Sequence, residues 1–229
     1  MNSMDNWSLY QSPFTWRYAS HEMRQIWSEV NKRRLWRQVW VALAQAQTTY
    51  QLVSREQVED LQRHVDDIDM ARAAEIESQI HHDLMAELKT FAEQASIGGP
   101  ILHLGATSMD IEDNAEVIRI KSALSIIQNR LRTLLSCLRD RIDEYADLPV
   151  IAYTHLQPAE PTTLGYRLSL YAQDLLEEYN HLEHAQSHLR GKGFKGAVGT
   201  AAAYMDLIGS ENFLAFEGEL SRLLGLNFY

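Results

Sequence analysis

The sequence contains a single cysteine, five prolines and no long apolar run. Because one cysteine, Cys137, cannot form an internal disulfide, the composition favours a reducing compartment. The lack of an apolar run of membrane length argues against a transmembrane helix. The first residues also lack the basic-then-apolar pattern of a secretory signal. We therefore expect a soluble, cytoplasmic protein with no membrane partner.

Basic residues are scarce as well. The chain has 21 lysines and arginines against 31 acids, which gives a formal net charge of -10. This balance argues against wholesale binding of nucleic acid, although it leaves room for a local cationic pocket. At 229 residues the chain is long enough for one large domain or two smaller ones.

Apolar residues recur at helical spacing over most of the chain, and no convincing alternating pattern indicates a strand. Ser54 and Gln57 form the pattern of a capping box. The sequence predicts an all-α fold with a helical N-terminal domain at 1–112 and a partial long-helix bundle at 113–229. The main predicted helical segments are 20–50, 82–95, 113–146 and 164–190.

The last ten residues form an apolar tail that includes Leu220, Leu226 and Tyr229. Chain termini are usually solvated, and an unfinished bundle would expose an apolar face of this kind. We therefore expect the tail to be exposed and the sequence to be the N-terminal portion of a longer protein.

Two polar segments, 104–114 and 153–163, interrupt the helical pattern. Each concentrates hydroxyl, amide and acidic groups just before a long helical segment, so we expect donor-rich loops at helix N-termini, where anions are favoured. His155, in the second segment, is a candidate general acid or base near neutral pH. A surface histidine is the simpler interpretation of that residue alone. Together the segments predict a site for a polyanionic small molecule.

Thr107 and Ser108, in the first of these segments, are candidates for binding carboxylates through their hydroxyl groups. The structural alternative is an ordinary helix cap at Asp110 or Asp113, and taken alone this alternative is favoured.

Arg17 and Tyr18 precede a predicted helix and form a candidate phosphate clamp, although a solvated arginine beside a packing tyrosine is commoner. Lys195 lies in a glycine-rich turn, 191–200, and can reach an anion, but the spacing of the glycines does not match a P-loop.

Three histidines, His181, His184 and His188, share one face of a predicted helix, with Glu177 one turn earlier. A metal site would need such a fourth ligand, and solvated imidazoles on a polar helix face are commoner. We therefore predict no metal site.

Taken together, these segments resemble the fumarase/aspartase superfamily. The matched segments occur in the order of that superfamily and cover nearly all of the chain. The Arg-Tyr-Ala-Ser element at 17–20 and the His-Asp-Leu-Met-Ala element at 82–86 point to the branch that acts on succinylated purine nucleotides. The segments that carry the resemblance are Ser12–Ser20, Leu35–Trp40, His82–Ala86, His103–Asp110, Thr154–Ala159 and Lys195–Thr200.

The resemblance implies a carbon–nitrogen lyase that releases fumarate by β-elimination, with a small-molecule substrate, no cofactor and a homotetrameric assembly. It implies that His155 is the general acid and that His82 supports substrate orientation and proton transfer. The residues that it assigns to substrate binding are Arg17, Tyr18, Asp83, Thr107, Ser108, Thr154, Gln157 and Lys195.

One departure from the superfamily is severe. The catalytic base there is a serine in a segment reading roughly Ser-Ser-x-Met-Pro, and residues 1–229 contain no such run. The chain by itself is therefore expected to be inactive. Another lyase of the superfamily and a non-catalytic helical assembly module remain as alternatives.

Overall fold

The computed structural model describes residue 12 and residues 14–229, with the side chain of Trp16 excepted. Helices dominate, and the fold class is confirmed as all-α apart from one small antiparallel hairpin. Short helical turns lie at Phe14–Tyr18, Gly99–Ile101 and Ser210–Asn212. The helices are α1 His21–Ile26, α2 Glu29–Thr48, α3 Arg55–Arg63, α4 Met70–Ile80, α5 Asp83–Gln94, α6 Ser108–Glu144, α7 Leu164–His188, α8 Ala202–Ile208 and α9 Phe213–Leu224; the strands are β1 Pro149–Thr154 and β2 Gln157–Thr163.

The described residues form two compact units. The larger unit contains the residues up to Ile120 together with Arg190–Tyr229, and the hairpin unit contains Lys121–Leu189. The division into domains at 112/113 stays a prediction. Within the described part of the chain, no helix is both long and apolar enough to cross a bilayer.

The core of the larger unit forms around α2. Trp36, Val39, Trp40 and Leu43 recur every three or four residues on that helix and are all buried, as expected for a helix that turns one stripe towards the core. They belong to one apolar cluster with side chains from α3, α5, α8 and α9. These partners include Leu61, Phe91, Tyr204, Phe216 and Leu220.

The apolar tail belongs to this core. Leu220 and Leu226 are buried, and helix α9 packs against α2. The expectation of an exposed tail was therefore wrong for these side chains, although Tyr229 is exposed. Packing of α9 against α2, which begins 184 positions earlier in the sequence (29 against 213), accounts for the apolar character of Leu220.

Serine caps set several helix starts. The capping box at Ser54 and Gln57 is confirmed, since each side chain accepts a hydrogen bond from the other residue's backbone N–H. The single helix predicted over 20–50 is instead two helices, because Ser28 caps α2 by accepting a hydrogen bond from the Asn31 N–H. The Ser28 hydroxyl also donates to the Gln25 carbonyl, which closes α1.

The hairpin unit consists of residues 121–144 of α6, the β1–β2 hairpin and helix α7. The two helices approach closely at Gly165, where an added Cβ would lie 2.6 Å from the Ile142 carbonyl oxygen. Between the helices, Arg132 donates to the Tyr179 hydroxyl at 2.7 Å. Apolar side chains remain exposed along both helices, among them Leu134 and Leu176.

The second polar segment is the main difference from the predicted secondary structure. Most of it forms strand β2 and the end of β1, where a loop was predicted. A strand with one buried face shows an apolar–polar alternation. Five of the seven residues of β2 are exposed and none is buried, so its sequence carries no such signal.

Candidate functional site

The Thr107–Ser108 turn lies where α6 begins. Ser108 is the first residue of this helix, and both residues of the turn are half-buried. The Thr107 N–H donates to the Asp110 carboxylate at 3.2 Å, and the Asp110 N–H donates to the Thr107 carbonyl at 3.0 Å. Asp110 thus caps the helix start from within its first turn, as the structural alternative predicted. The turn still presents two hydroxyl-bearing residues at the N-terminus of a long helix, where an anion is favoured.

His82 is the N-cap of helix α5. Its Nδ1 accepts a hydrogen bond from the Met85 N–H at 3.4 Å, which leaves Nε2 to carry the proton of the neutral ring. The imidazole is 45% exposed, and the Asp83 carboxylate lies 3.9 Å from it. Asp83 also accepts a hydrogen bond from the Leu84 N–H. His82 can therefore donate a proton or a hydrogen bond outward through Nε2.

His103 is a residue to which the sequence analysis gave no role of its own. Its Nδ1 accepts a hydrogen bond from the Trp40 indole N–H at 3.0 Å, and its backbone has a positive φ of 67°. Burial lowers the pKa of His103, and the nearby His82 imidazole lowers it further, whereas the charge of Asp110 raises it. His103 therefore favours the neutral form, with a second Nε2 proton close to His82. The indole contact spans 63 positions, so no local pattern reveals it.

Glu112 belongs to the same neighbourhood and was also missed. Burial raises the pKa of this carboxyl, and the charges of Asp83 and Asp113 raise it further. His82 and Lys32 act in the opposite direction. The start of α5 and the start of α6 therefore bring imidazoles and carboxyls together within the larger unit.

Replacement of His103 by glutamine should reduce the pH dependence of the free energy of unfolding between neutral and mildly acidic pH. The pKa of His103 is lowered in the folded state, so the stability that its neutral form contributes is complete above the unfolded pKa of about 6.5. That contribution is lost as the pH falls from there through the folded pKa. Glutamine can still accept from the Trp40 indole but does not titrate.

The measurement is urea unfolding of both proteins from pH 7.5 to pH 5. The two proteins differ at this one position, so the difference between the curves reports the contribution of His103. Parallel curves would show that its protonation is not linked to folding.

The glycine-rich segment, residues 191–200, is held against α6. Asn114 donates to the Gly193 carbonyl at 3.0 Å and accepts from the Gly193 N–H at 3.1 Å. A side chain at Gly191 would overlap the Asn114 amide oxygen, so this close approach requires glycine. The Lys195 ammonium lies 2.7 Å from the Glu217 carboxylate, so its charge is paired within the chain.

His155 lies at the tip of the β1–β2 hairpin. Thr154 pairs with Gln157, and the two residues between them, His155 and Leu156, have φ values of 47° and 64°. A turn in which both central residues have positive φ is a type I′ turn, and its central residues are usually asparagine or glycine. For other residues this conformation costs about 1–2 kcal/mol each. All four residues of the turn are exposed. His155 therefore lies on the surface of the hairpin unit in a strained backbone conformation.

Arg17 and Tyr18 lie in the helical turn Phe14–Tyr18, and both are exposed. The Tyr18 ring lies 6.0 Å from that of Phe14. A groove of about 390 Å³ lies nearby in sequence, lined by residues that include Phe14, Ala19 and Trp27, and neither Arg17 nor Tyr18 is among its lining residues. The Arg119 guanidinium lies over the Trp27 ring, with its Cζ 4.7 Å from the ring centre.

The predicted site residues divide between the two units. The larger unit contains Arg17, Tyr18, His82, Asp83, Thr107, Ser108 and Lys195, and the hairpin unit contains Thr154, His155 and Gln157. His82 and Thr107 share a neighbourhood that includes His103, whose pKa responds to both His82 and Asp110.

Two of the three histidines on α7 lie against each other. The rings of His184 and His188 lie 4.0 Å apart, and the His188 Nδ1 is within hydrogen-bond distance of the His184 carbonyl. Among the residues that the structure describes, no group of three or more histidine, cysteine or acidic side chains is arranged to hold a metal ion.

Comparisons with known proteins agree on one family. A family model described as lyase matches residues 13–215. Curated relatives named adenylosuccinate lyase include one from Schistosoma mansoni, 38% identical over 98% of this chain, and one from Saccharomyces cerevisiae, 36% identical over 98%. The chain covers 45% and 48% of these two proteins, so it spans about half the length of the relatives it matches.

Solved structures with a similar fold carry other names. A fumarate lyase from Mesorhizobium sp. BNC1 is 26% identical, with a TM-score of 0.82 over 96% of this chain and 50% of its own. A 3-carboxy-cis,cis-muconate lactonizing enzyme from Pseudomonas putida is 25% identical, with a TM-score of 0.83 over 94% of this chain and 50% of its own.

Proposed function

This chain belongs to the lyase family, and we propose that it contributes to an adenylosuccinate lyase. The reaction is the release of fumarate from adenylosuccinate, which leaves AMP, and the same elimination on the succinylated imidazole-carboxamide ribotide of purine synthesis. The observation that carries the proposal is the arrangement at the start of α6. There Thr107 and Ser108 open a long helix, and the Thr107 N–H donates to Asp110, whose charge acts on the pKa of His103 together with that of His82.

The chemistry requires one base, one acid and fixed donors. A base removes a proton from the succinyl carbon next to a carboxylate, and the electron pair delocalises into that carboxylate. The carbon–nitrogen bond then breaks, fumarate leaves, and an acid protonates the departing nitrogen. Preorganised donors stabilise the carbanion, because charge develops where they already point.

The residues of this chain supply the acid and the donors. His155 donates the proton to the leaving nitrogen, with Thr154 and Gln157 beside it on the hairpin. Thr107 and Ser108 bind a succinyl carboxylate at the N-terminus of α6, where the helix dipole favours negative charge. His82, next to Asp83, orients the substrate through its outward Nε2 proton.

Nucleotide binding is assigned to a separate set of groups. Arg17 and Tyr18 bind the nucleotide phosphate, because a guanidinium can donate two parallel hydrogen bonds to it. The Lys195 ammonium is paired with the Glu217 carboxylate. Lys195 therefore binds substrate only when a ligand anion replaces Glu217 as its partner.

The base is not among residues 1–229, since the sequence contains no Ser-Ser-x-Met-Pro run. We therefore infer that this chain alone binds ligand without turning it over, and that an active enzyme needs the serine-bearing segment. The exposed apolar side chains on the hairpin unit, among them Leu134 and Leu176, support assembly with a partner surface. The resemblance makes a homotetramer the expected assembly, and the single cysteine favours the cytoplasm.

Replacement of Arg17 by alanine tests the nucleotide site. AMP should bind the native chain, and the variant should bind it about ten- to a hundredfold more weakly, since a charge-assisted hydrogen bond contributes about 1.5–3 kcal/mol. Calorimetric titration with AMP, and with arginine as the control ligand, provides the measurement.

The titration also separates the alternatives. Binding of AMP without binding of arginine supports adenylosuccinate lyase over another lyase of the superfamily. Binding of neither ligand favours a helical assembly module. Equal AMP affinity of the native chain and the Arg17→Ala variant would remove Arg17 from the site.

A further inference from the structure

The carboxylate of Asp110 is fully buried and holds the glycine-rich segment from beneath. One of its oxygens, Oδ1, accepts from the Lys192 ammonium at 2.5 Å. The same oxygen accepts from the backbone N–H groups of Lys195 and Gly196, each at 3.2 Å. These donors lie more than 80 positions from Asp110 along the chain.

The other oxygen, Oδ2, connects this segment to the start of α6. It accepts from the Thr107 N–H at 3.2 Å and from the Gly196 N–H at 3.2 Å. The Tyr204 hydroxyl donates to it as well, at 3.1 Å. One carboxylate therefore ties the Thr107–Ser108 turn directly to the segment that carries Lys195.

Only an ionised carboxylate suits this position. Every one of these partners is a donor, so both oxygens must act as acceptors, whereas an asparagine offers one. Burial raises the pKa of Tyr204, and the Asp110 charge raises it further, so the phenol remains a donor. Lys192 compensates the buried negative charge, which would otherwise be costly.

We propose that Asp110 is a positioning residue that sets the spacing between the Thr107–Ser108 turn and the Lys195 segment, so that both segments reach one dicarboxylate ligand. This inference rests on the proposed function, and it deepens it by naming the group that assembles the binding site. Asp110 does not touch the ligand, because its side chain is fully buried and occupied by six hydrogen bonds.

Asn114 provides a matched control. It lies one turn further along α6 and holds the same segment through Gly193. The two hydrogen bonds between the Asn114 side chain and Gly193 do not involve Thr107. A substitution at Asn114 weakens the attachment of the glycine-rich segment to α6. A substitution at Asp110 also breaks the link between that segment and the Thr107–Ser108 turn.

The test uses the whole chain and compares Asp110→Asn/Lys192→Met with Asn114→Ala. The double variant removes the buried carboxylate and its half-buried partner charge together, which avoids leaving one of them unpaired. Hydrogen exchange is measured on the amides of 104–109 and 193–200, and fumarate is titrated calorimetrically as the dicarboxylate probe. The Asp110→Asn single variant is measured in parallel.

In the double variant we expect exchange to accelerate at least tenfold in both segments and fumarate to bind at least tenfold more weakly. Asn114→Ala should accelerate exchange mainly around Gly193 and weaken fumarate binding less, even where the two proteins have the same unfolding midpoint. A general loss of stability would affect both proteins alike, so this contrast identifies positioning.

Two results would overturn the inference: acceleration confined to one segment, or native fumarate affinity in the double variant. A native chain that binds no fumarate, with both segments still loosened together, would reject the proposed function and leave the coupling by Asp110 in place. If the double variant does not fold, exchange and fumarate affinity in Asp110→Asn decide between the same outcomes.

Discussion

Replacement of Glu87 by alanine is expected to destabilise the protein by about 3–5 kcal/mol, the range for breaking a buried ion pair by removal of one partner. Glu87 is completely buried between α5 and α2, 2.6 Å from the Arg37 Nε and 3.4 Å from the Arg33 Nη1. Burial lowers the pKa of Arg37, and the charge of Glu87 opposes that shift. Without Glu87 two buried guanidinium groups lose their main counter-charge.

The measurement is urea unfolding followed by tryptophan fluorescence, since Trp36 and Trp40 are buried in the core beside this pair. The double variant Arg37→Met/Glu87→Met should be less destabilised than Glu87→Ala, because no unpaired charge remains at position 37. A loss below about 1 kcal/mol in Glu87→Ala would show that the site solvates or rearranges at little cost.

An exposed ion pair supplies the matched control. Arg34, also on α2, lies 2.8 Å from Asp66, and both side chains are exposed. Asp66→Ala should cost about 0–1 kcal/mol, because exposed pairs gain little in water. The difference in lost stability between Glu87→Ala and Asp66→Ala then measures the effect of burial, because both carboxylates pair with arginines of the same helix.

On the proposed function, replacement of His155 by asparagine is expected to lower the turnover of adenylosuccinate by about 10²–10⁴-fold, with a much smaller effect on nucleotide binding. Asparagine removes the proton donor but tolerates positive φ better than most residues, so the turn at the hairpin tip is retained. The loss should therefore appear in kcat and not in the affinity for AMP.

The assay needs the serine-bearing segment. The chain is therefore co-expressed with the part of the Saccharomyces cerevisiae relative that it does not cover, and the native pair must turn over adenylosuccinate before the variants are compared. Leu156→Asn is the matched control, because Leu156 occupies the same turn, has positive φ and is 93% exposed. It should leave turnover within a few-fold of the native value. Unchanged turnover in His155→Asn would exclude His155 as the general acid.

The helices were predictable because their signals are local. Buried side chains at every third or fourth position define α2, and a capping box starts α3 at Ser54. The polar segment at 104–114 indicated a nearby helix start, but α6 begins at Ser108, within the segment and five positions before the predicted start at 113. Each of these features depends on residues within a few positions of one another.

The hairpin and the contacts of the site were not predictable in this way. Strand β2 contains Pro158 and Pro161, which disfavour a central strand, and its exposed faces leave no alternation to detect. The interpretation of Asp110 as a simple cap missed Lys195 and Gly196, which reach it from more than 80 positions away. Contacts at such separations leave no trace in local spacing.

The sequence by itself determined the helical character, the helix starts and the resemblance to one superfamily, because short-range periodicity, capping and ordered motifs are properties of neighbouring residues. The tertiary structure decided which groups meet. It placed His103 against Trp40, paired Lys195 with Glu217 and buried Asp110 beneath the glycine-rich segment. These pairings depend on burial and on the closure of long loops, since a buried polar group must find its partner wherever the folded chain brings one.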